Sequence, residues 1–427
     1  MTPEVKKRID QIRQGIVPEG YKKTESGIIP NEWRVEQVSK CIEEYKFFSN
    51  DISHIPVYSS SRKGLVPQSD YYNQREAVET NLGYKVVPQG YVTYRHMSDD
   101  DVFHFNINKT GENVLVSSEY PVFTSSDNCD LSFLISVLNN TARFRYFCKM
   151  QKLGGTRTRL YLDNLKRYAL ALPPFDEQKK IAEILSTQDK AIELQGRKIE
   201  ELKRFKKGCL EKMFPRKGQK VPEKRFPGFT DDWEQRKLSE ITDKVTEKNA
   251  GLQYVETFTN SAEFGIISQR DFFDHDIAKL GSLDGYYIVK NEDFVYNPRI
   301  STSAPVGPIN RNKLGRTGVM SPLYTVFRPH DIDTTYLEYF FKCGYWHSFM
   351  NFNGDSGARS DRFSIRDNVF FQMPIPIPDI DEQRKIGELL TCLDNLITLH
   401  QRKLEEMKKQ KKALMQLLLT GIVRVRL

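Results

Sequence analysis

Asp176-Glu177-Gln178-Lys179-Lys180-Ile181 and Asp381-Glu382-Gln383-Arg384-Lys385-Ile386 are two versions of one phrase, 205 residues apart in a chain of 427. Further matches between the two halves are Trp33 with Trp233, 64–72 with 265–273, Tyr84 with Tyr287, and Tyr120 with Tyr324, at offsets of 200, 201, 203 and 204. The offset only rises, in small steps, as it does when surface loops of a duplicated unit gain a few residues. The period far exceeds the roughly 20 to 50 residues of solenoid repeats. The sequence therefore predicts two copies of one large unit.

The second part of each unit is predicted to be a long helix. Apolar residues recur at spacings of three, four and seven, which is typical of a helix with one apolar stripe. They are Ile181, Ile184, Leu185, Ile192, Ile199, Leu202, Leu210 and Met213 in the first copy, and Ile386, Leu389, Leu390, Leu393, Ile397, Leu404, Met407, Leu414, Met415 and Leu418 in the second. Asp176 is the predicted N-cap of the first helix. Each run has about 40 residues, or about 60 Å of helix.

A striped helix of that length needs a partner to bury its stripe, and the simplest partner is its own copy. We therefore expect the two helices to pack as an antiparallel coiled coil with pseudo-two-fold symmetry. Two separate dimerisation helices, each paired with another chain, are the alternative.

The first part of each unit has the pattern of a mixed α/β domain. Short β-branched and aromatic runs such as 55–58, 91–94 and 324–327 alternate with amphipathic runs such as 131–147 and 336–349. The predicted fold class is α/β (α+β), with two tandem domains that are each followed by a long helix. The predicted divisions are an N-terminal extension (1–31), domain 1 (32–174), a central helix (175–214), a linker (215–231), domain 2 (232–378), a C-terminal helix (379–421) and a tail (422–427).

Composition limits the classes of protein. The net charge of +8 favours an acidic partner, with nucleic acid first among the candidates. No run approaches the ~18 apolar residues of a membrane helix, and the charged N-terminus does not resemble a secretion signal. Six cysteines include no C-x-x-C pair, which argues against a zinc site or a disulfide framework. We expect a cytoplasmic protein without a metal site or a membrane association.

Catalytic motifs are missing from the sequence. Pro173-Pro174-Phe175 lacks the polar first residue of the loop with which adenine methyltransferases hold their target. The chain has no phosphate-binding loop of the form G-x-x-x-x-G-K-[ST] and no glycine-rich fingerprint after an early strand. Its seven histidines show no metal-ligand spacing. The sequence predicts a chain without a catalytic site of its own.

The duplicated plan resembles the specificity subunit of type I restriction-modification enzymes. The residues that carry the resemblance are the two Asp-Glu-Gln phrases, the linker from Lys212-Met213-Phe214-Pro215 to Arg225-Phe226-Pro227-Gly228-Phe229, Trp233, and the ending Leu418-Leu419-Thr420-Gly421. The likeness extends over essentially the whole chain, although residues 1–25 correspond only loosely to the stretch after Phe214.

The resemblance implies a function within a larger complex. Each domain would read one half of a bipartite site in double-stranded DNA, and the helices would dock two adenine methyltransferase (modification) subunits. Restriction subunits with translocase activity would join them. S-adenosylmethionine, ATP and Mg²⁺ would then belong to the partners, and this chain would carry no cofactor. A coiled-coil adaptor that binds only proteins is the alternative function.

Candidate DNA contacts follow from side-chain chemistry. Arginine pairs with guanine, asparagine with adenine, and lysine or small hydroxyls with phosphate. In domain 1 the candidates are Ser60, Ser61, Arg62, Lys63, Thr156, Arg157, Thr158 and Arg159. In domain 2 they are Asn260, Ser261, Arg299, Ser301, Arg311, Lys313, Arg359, Ser360 and Arg362. For any one of these residues a plain surface role is an equal alternative, and the family resemblance transfers none of them.

Overall fold

The structure is a computed structural model that describes residues 2–68, 83–152, 156–273, 280–355 and 361–425. The chain divides into two compact units. Unit 1 comprises Met1–Gln195 together with Lys403–Leu427, and unit 2 comprises Gly196–Arg402. The last part of the second long helix therefore belongs to the same unit as the first domain.

The helices of the described residues are of two kinds, several short ones and two long ones. They are α1 (Pro3–Arg13), α2 (Leu131–Asn140), α3 (Ala142–Lys149), α4 (Leu162–Lys166), α5 (Phe175–Lys212), α6 (Gln269–Phe273), α7 (Thr334–Cys343), α8 (His347–Asn353), α9 (Asp367–Phe370) and α10 (Ile380–Leu419). The long helices α5 and α10 have 38 and 40 residues. They confirm the predicted combination of mixed domains with long helices.

Unit 1 is built on antiparallel strand pairs. The strands are β1 (Tyr21–Thr24), β2 (Gly27–Pro30), β3 (Arg34–Gln37), β4 (Ile42–Glu44), β5 (Phe48–Ser49), β6 (Tyr58–Ser61), β7 (Gly64–Pro67), β8 (Tyr84–Val87), β9 (Val92–Thr93), β10 (Met97–Ser98), β11 (Asn106–Ile107), β12 (Val114–Val116), β13 (Val122–Ser125), β14 (Thr158–Arg159) and β15 (Ala169–Leu172). The largest sheet has the order β11-β9-β13-β4. Other pairs are β12 with β8, β6 with β7, and β15 with β3.

Unit 2 repeats this topology. Its strands are β16 (Glu234–Lys237), β17 (Thr242–Lys244), β18 (Phe258–Ser261), β19 (Gly265–Ser268), β20 (Tyr287–Val289), β21 (Phe294–Tyr296), β22 (Ile309–Arg311), β23 (Gly318–Met320), β24 (Thr325–Pro329) and β25 (Pro374–Ile377). The sheet β17-β24-β21-β22 matches β4-β13-β9-β11 strand for strand. The pairs β20–β23, β18–β19 and β16–β25 match β8–β12, β6–β7 and β3–β15. The duplication predicted from the sequence is confirmed.

Each domain buries the ends of the long helices in its own core. In unit 1, Ile181 and Leu185 from α5 and Leu418 from α10 join the aromatic core around Trp33 and Phe123. In unit 2 the core contains Met213 and Phe214 together with Ile386, Leu390 and Leu393 around Trp233. The apolar stripes seen in the sequence are thus partly explained by packing against the domains.

The glutamate of the repeated phrase is the centre of a buried contact in unit 1. Trp33 Nε1 donates a hydrogen bond to Glu177 Oε2 over 3.1 Å. Arg424, from the segment that follows α10, donates to both carboxylate oxygens from Nε and Nη2 at 2.7 and 2.8 Å. The Glu177 side chain is 2% exposed and that of Arg424 is 32% exposed. The planar guanidinium of Arg424 pairs with the planar carboxylate of Glu177, and this pairing offsets the free-energy cost of burying the carboxylate's charge.

Unit 2 builds the same contact from a different stretch of chain. Trp233 Nε1 donates to Glu382 Oε2 over 3.2 Å, and Arg225 donates to both oxygens at 2.8 and 2.9 Å. The Glu382 side chain is completely buried and that of Arg225 is 15% exposed. Arg225 belongs to the segment that follows α5. In both units, therefore, an arginine beyond the end of one long helix closes on the first turn of the other.

The glutamine of the phrase fixes the next helix of the domain. Gln178 accepts a hydrogen bond from the backbone N–H of Asp130 over 2.8 Å and donates to the carbonyl of Pro173 over 2.9 Å. Asp130 is the N-cap of α2. Gln383 makes the equivalent bond to the N–H of Asp333, the N-cap of α7, over 2.9 Å. The repeated phrase therefore joins the long helix to the domain.

The predicted N-cap of the first long helix is corrected by two positions, from Asp176 to Pro174. Helix α5 begins at Phe175, so Asp176 lies inside its first turn. The N–H of Gln178 bonds to the carbonyl of Pro174 over 3.0 Å, which starts the helical hydrogen-bond pattern before Asp176. In α10 the cap precedes the phrase as well, because the carboxylate of Asp379 accepts the N–H of Asp381 over 2.8 Å.

The long helices contact one another through equivalent ion pairs within each unit. In unit 1, Lys411 of α10 pairs with Asp189 of α5. In unit 2, Lys206 of α5 pairs with Asp394 of α10 over 2.6 Å. The two lysines are 205 residues apart, and so are the two aspartates. Within each unit, the first half of one helix lies beside the second half of the other.

The buried glutamates generate a prediction about stability. We expect Glu382→Gln to lower the free energy of unfolding by about 3 kcal/mol, because Arg225 is then left buried without a counter-charge. Glu177→Gln should cost less, because water reaches the more exposed Arg424. Urea unfolding followed by tryptophan fluorescence measures both effects. Asp381→Asn, an exposed neighbour in the same turn, is the control and should change little. Equal losses for the three variants would contradict the assignment.

Candidate nucleic-acid interface

The hairpin β6–β7 presents two cations in unit 1. The hydroxyl of Ser61 accepts the N–H of Lys63 over 3.1 Å and donates to the carbonyl of Gly64 over 2.9 Å. Gly64 has a φ of +113°, which side-chain-bearing residues rarely adopt. The resulting tight turn exposes Arg62 and Lys63. Short loops with a fixed backbone are suited to placing charged groups against a duplex.

An asparagine ties each hairpin to the central sheet. Asn106 Nδ2 donates to Ser60 Oγ over 2.8 Å and to the carbonyl of Ser61 over 2.9 Å. In unit 2, Asn310 Nδ2 donates to Asn260 Oδ1 over 2.7 Å. Asn260 itself is buried and donates to the carbonyl of Val295 over 2.7 Å. Ser60 and Asn260 thus hold the hairpins. Sequence reasoning missed Asn106 and Asn310, although their offset of 204 was an available signal.

The second predicted loop of unit 1 is held by carboxylates. Arg157 Nε donates to Asp99 Oδ1 over 2.8 Å, and the Thr158 hydroxyl bonds to Asp101. Arg159 is exposed and pairs through its backbone with Met97 in the β10–β14 ladder. Thr156 is exposed.

Asp100 connects this loop with the hairpin. Arg62 Nη2 lies 2.5 Å from Asp100 Oδ1. The same oxygen accepts the Ser98 hydroxyl over 2.9 Å and the N–H of Val102 over 3.4 Å. Slight burial raises the pKa of Asp100, but the bonds from Arg62 and Ser98 outweigh it and hold that pKa below its ordinary value. The structure therefore brings 60–63 and 156–159, the two predicted loops of domain 1, to one acidic segment, Asp99-Asp100-Asp101.

A cavity of about 540 Å³ opens beside this cluster. Its lining includes the hairpin residues Ser60, Ser61, Arg62 and Lys63, and also Arg95 and His104. Burial lowers the pKa of His104, with Arg62 as a second cause. The lining therefore combines the cations Arg62, Lys63 and Arg95 with the carboxylate of Asp99, and its cations are donors that suit phosphate or base edges.

Unit 2 places a smaller group of candidates at the equivalent position. Arg299 and Arg362 pair through their backbones, as Met97 and Arg159 do in unit 1. Arg299 Nη2 lies 3.9 Å from Asp361 Oδ2. Ser301 is exposed, and its hydroxyl lies 3.2 Å from that of Ser303. Ser261 accepts the N–H groups of Glu263 and Phe264 in the hairpin turn. The predicted contacts Arg359 and Ser360 lie outside the described residues.

Arg311 and Lys313 lie in a separate ion-pair network. The Arg311 side chain is 8% exposed, and its Nη2 lies 2.6 Å from Glu338 of α7. Its Nη1 bonds to Glu292 and Thr334 at 3.0 and 2.6 Å. Lys313 lies 3.4 Å from Glu338. Burial raises the pKa of Glu338, but Lys342, Arg311 and Lys313 outweigh it and hold the pKa below its ordinary value. Arg311 therefore binds partners within the protein.

Two further features bear on the class of protein. None of the helices in the described part of the chain combines the length and apolar character needed to cross a membrane. Within the same ranges, no group of three or more His, Cys, Asp or Glu side chains is arranged to hold a metal ion. The features that are present are two equivalent domains, each with polar and cationic loops, and two long helices. They define a duplicated protein whose domains present loops of unlike charge.

Comparison with known proteins identifies the family. Residues 38–204 and 230–409 match the family described as type I restriction modification DNA specificity domain, once in each repeat. The chain belongs to this family and is a type I restriction-modification specificity subunit. One relative from Methanocaldococcus jannaschii, assigned as the specificity subunit of type I restriction enzyme MjaX, is 24% identical over 96% of this chain and 97% of its own length. Another from that organism, the MjaVIII specificity subunit, is 29% identical over 62% of this chain and 63% of its own length.

A solved structure supports the fold. A chain from work on complex assembly and conformational transition of the type I R-M system superposes with a TM-score of 0.53. The match covers 92% of this chain and 99% of that chain, at 14% sequence identity. At this identity the likeness establishes the fold alone.

The two arginine environments generate a prediction. We expect Arg157→Ala to weaken DNA binding and leave stability nearly unchanged, because Arg157 is half exposed. Arg311→Ala should instead lower the free energy of unfolding by about 3 kcal/mol, because it removes a buried partner of Glu338. Fluorescence anisotropy with duplex DNA and thermal unfolding distinguish the two effects. An Arg157→Ala variant with wild-type DNA affinity would remove that residue from the interface.

Proposed function

We propose that each domain reads one half of a bipartite, gapped DNA site. The observation that carries this proposal is that the two domains share one topology but have different loops. The hairpin of unit 1 carries Arg62 and Lys63, whereas that of unit 2 carries Glu263 and Phe264. Equivalent domains with unlike loops would contact DNA in the same manner but prefer different bases. The resulting site would be asymmetric, with two unlike halves.

The long helices would act as the spacer between these readers. We propose that α5 and α10 form an antiparallel coiled coil with pseudo-two-fold symmetry. The equivalent ion pairs Asp189–Lys411 and Asp394–Lys206, found within separate units, support this arrangement. A pair of rods of fixed length would convert helix length into the separation of the half-sites.

The helices would also dock the methyltransferase subunits. Leu194 on α5 and Leu399 on α10 are 205 residues apart, and they are 63% and 62% exposed. Large exposed leucines at equivalent helix positions are suited to two copies of one partner. The proposed partners are two adenine methyltransferase subunits, with restriction subunits that join through them. S-adenosylmethionine, ATP and Mg²⁺ would be bound by these partners, and this chain would contribute recognition without catalysis.

Methylome sequencing of a host that expresses this chain with its methyltransferase partner tests the proposal. We expect adenine methylation at one bipartite motif with a fixed gap. Four helix-forming residues inserted after Gln195, with four more after His400, should lengthen the spacer by about 6 Å. The gap should then grow by about two base pairs, at about 3.4 Å each, while the bases of both half-sites stay the same.

Four residues inserted after Gly218, in the linker outside the helices, are the control and should leave the gap unchanged. A continuous motif, or an unchanged gap after the paired helix insertion, would contradict the proposed spacer. Methylation without any sequence preference would contradict the proposed function as a whole.

The exposed leucines predict the stoichiometry of docking. We expect Leu194→Asp and Leu399→Asp each to remove one methyltransferase subunit, because a charge would be buried at one of two equivalent contacts. The double variant should bind none. Native mass spectrometry of the co-purified complex counts the subunits. Glu200→Asp, at an exposed helix position, is a control that should keep both partners. Two bound subunits in the double variant would place the docking surface elsewhere.

A further inference from the structure

The candidate interfaces of the two domains differ in one acidic segment. In unit 1, the turn that follows β10 contains Asp99, Asp100 and Asp101. In unit 1 this turn lies between β9 and β11. The equivalent strands of unit 2 are β21 and β22, and the turn between them contains Ser301, Thr302 and Ser303. Carboxylates repel phosphate, so three of them beside a DNA-binding loop would weaken binding unless they have another role.

The carboxylates of unit 1 are directed at the cations that would contact DNA. Asp100 holds Arg62 from the hairpin, and Asp99 holds Arg157 from the second loop. Asp100 is itself fixed by Ser98 and by the N–H of Val102. The neighbouring Asp101 adopts a φ of +61°, an uncommon conformation for a residue with a side chain, which turns the chain sharply at this point. The segment therefore orients arginines from two different loops.

The geometry of these pairs leaves the arginines able to bind a base. Arg157 contacts Asp99 through Nε, and Arg62 contacts Asp100 through one terminal nitrogen. A guanidinium has five N–H donors, so each retains donors for the O6 and N7 atoms of guanine. A mobile arginine on an open loop would instead bind any phosphate within reach. Restraint by a carboxylate favours the directional contact to a base over the non-directional contact to the backbone.

We propose that Asp99 and Asp100 are positioning residues that give domain 1 its base specificity, by orienting Arg157 and Arg62 and by excluding phosphate from them. The inference rests on the proposed function, because it assumes that domain 1 reads one half-site. Domain 2 has neutral residues in the corresponding turn, and its Arg299 instead faces Asp361, 3.9 Å away on another segment. The adjoining cavity of about 540 Å³, whose lining includes Arg62, Arg95 and Asp99, is the space that base edges would enter.

The chain supplies the matched substitution. Asp99→Ser combined with Asp100→Thr gives unit 1 the residues of unit 2. The side chains of Asp99 and Asp100 are 68% and 47% exposed, so their ion pairs contribute little to stability and the variant should fold normally. Thermal unfolding of the double variant at the wild-type midpoint verifies this.

The experiment uses the full chain assembled with its methyltransferase partner. Methylome sequencing should show that one half of the bipartite motif becomes degenerate, with about a tenfold loss of discrimination at guanine positions, while the other half is unchanged. Binding to a random-sequence duplex should tighten several-fold at about 0.1 M salt. The slope of log affinity against log salt should become more negative by about 1 to 2, since about 0.9 is expected for each additional phosphate that the protein neutralises.

Two control variants separate the outcomes. Asp99→Glu with Asp100→Glu keeps the negative charges and should preserve the motif and the salt slope. Glu36→Gln with Asp163→Asn adds the same net charge at carboxylates of unit 1 that lie beside lysines, and it should leave both halves of the motif intact. An intact motif with the wild-type salt slope in Asp99→Ser/Asp100→Thr, or equal loss in both halves, would overturn the inference. A wild-type complex that methylates without a bipartite motif would instead reject the proposed function, and the inference with it.

Discussion

A buried carboxylate at the first turn of each long helix is the contact on which both units depend. Glu177 and Glu382 each accept hydrogen bonds from a tryptophan of the domain and from both nitrogens of an arginine fork. The tryptophan fixes the helix to the domain, and the arginine fixes the chain that leaves the other long helix. A charge buried in this way is tolerated only when its partners are held in place, so the contact couples domain, helix start and helix end.

The same contact explains why unit 1 is discontinuous in sequence. In unit 2 the arginine comes from the linker after α5, whereas in unit 1 it comes from the C-terminal segment after α10. The N-terminal extension contributes to the closure of unit 1 as well, because Arg8 and Tyr21 donate to the carbonyls of Ile422 and Gly421. The two ends of the chain thus perform together in unit 1 what one continuous linker performs in unit 2.

The sequence predicted the features that are repeated or periodic. The duplication, the long helices and the arginine-bearing loops were visible because a match at a fixed offset, or an apolar stripe, can be read directly from the order of residues. Tertiary partners were not visible in this way. Arg311 and Arg157 were both predicted to contact DNA because each is an arginine in a polar segment. Arg311 is buried against Glu338, whereas Arg157 is half exposed. The roles of Asn106 and of Asp99-Asp100-Asp101 depend on loops about 38 to 58 residues away in the chain, which composition and spacing do not reveal.

The buried contacts are the same in both halves, whereas the hairpin turns differ. This contrast explains how two copies of one unit can present unlike surfaces. The contacts that recur in both halves, from Glu177 and Glu382 to Gln178 and Gln383, join buried groups that tolerate little change. The hairpin turns lie beyond them and are tied to the sheet through Asn106 and Asn310, whose bonds reach backbone carbonyls as well as side chains. Because those carbonyls are present whatever residue occupies the turn, Arg62-Lys63 and Glu263-Phe264 can be carried by one scaffold. Divergence at the turns therefore does not disturb the buried contacts, and this independence is what a pair of separate readers requires.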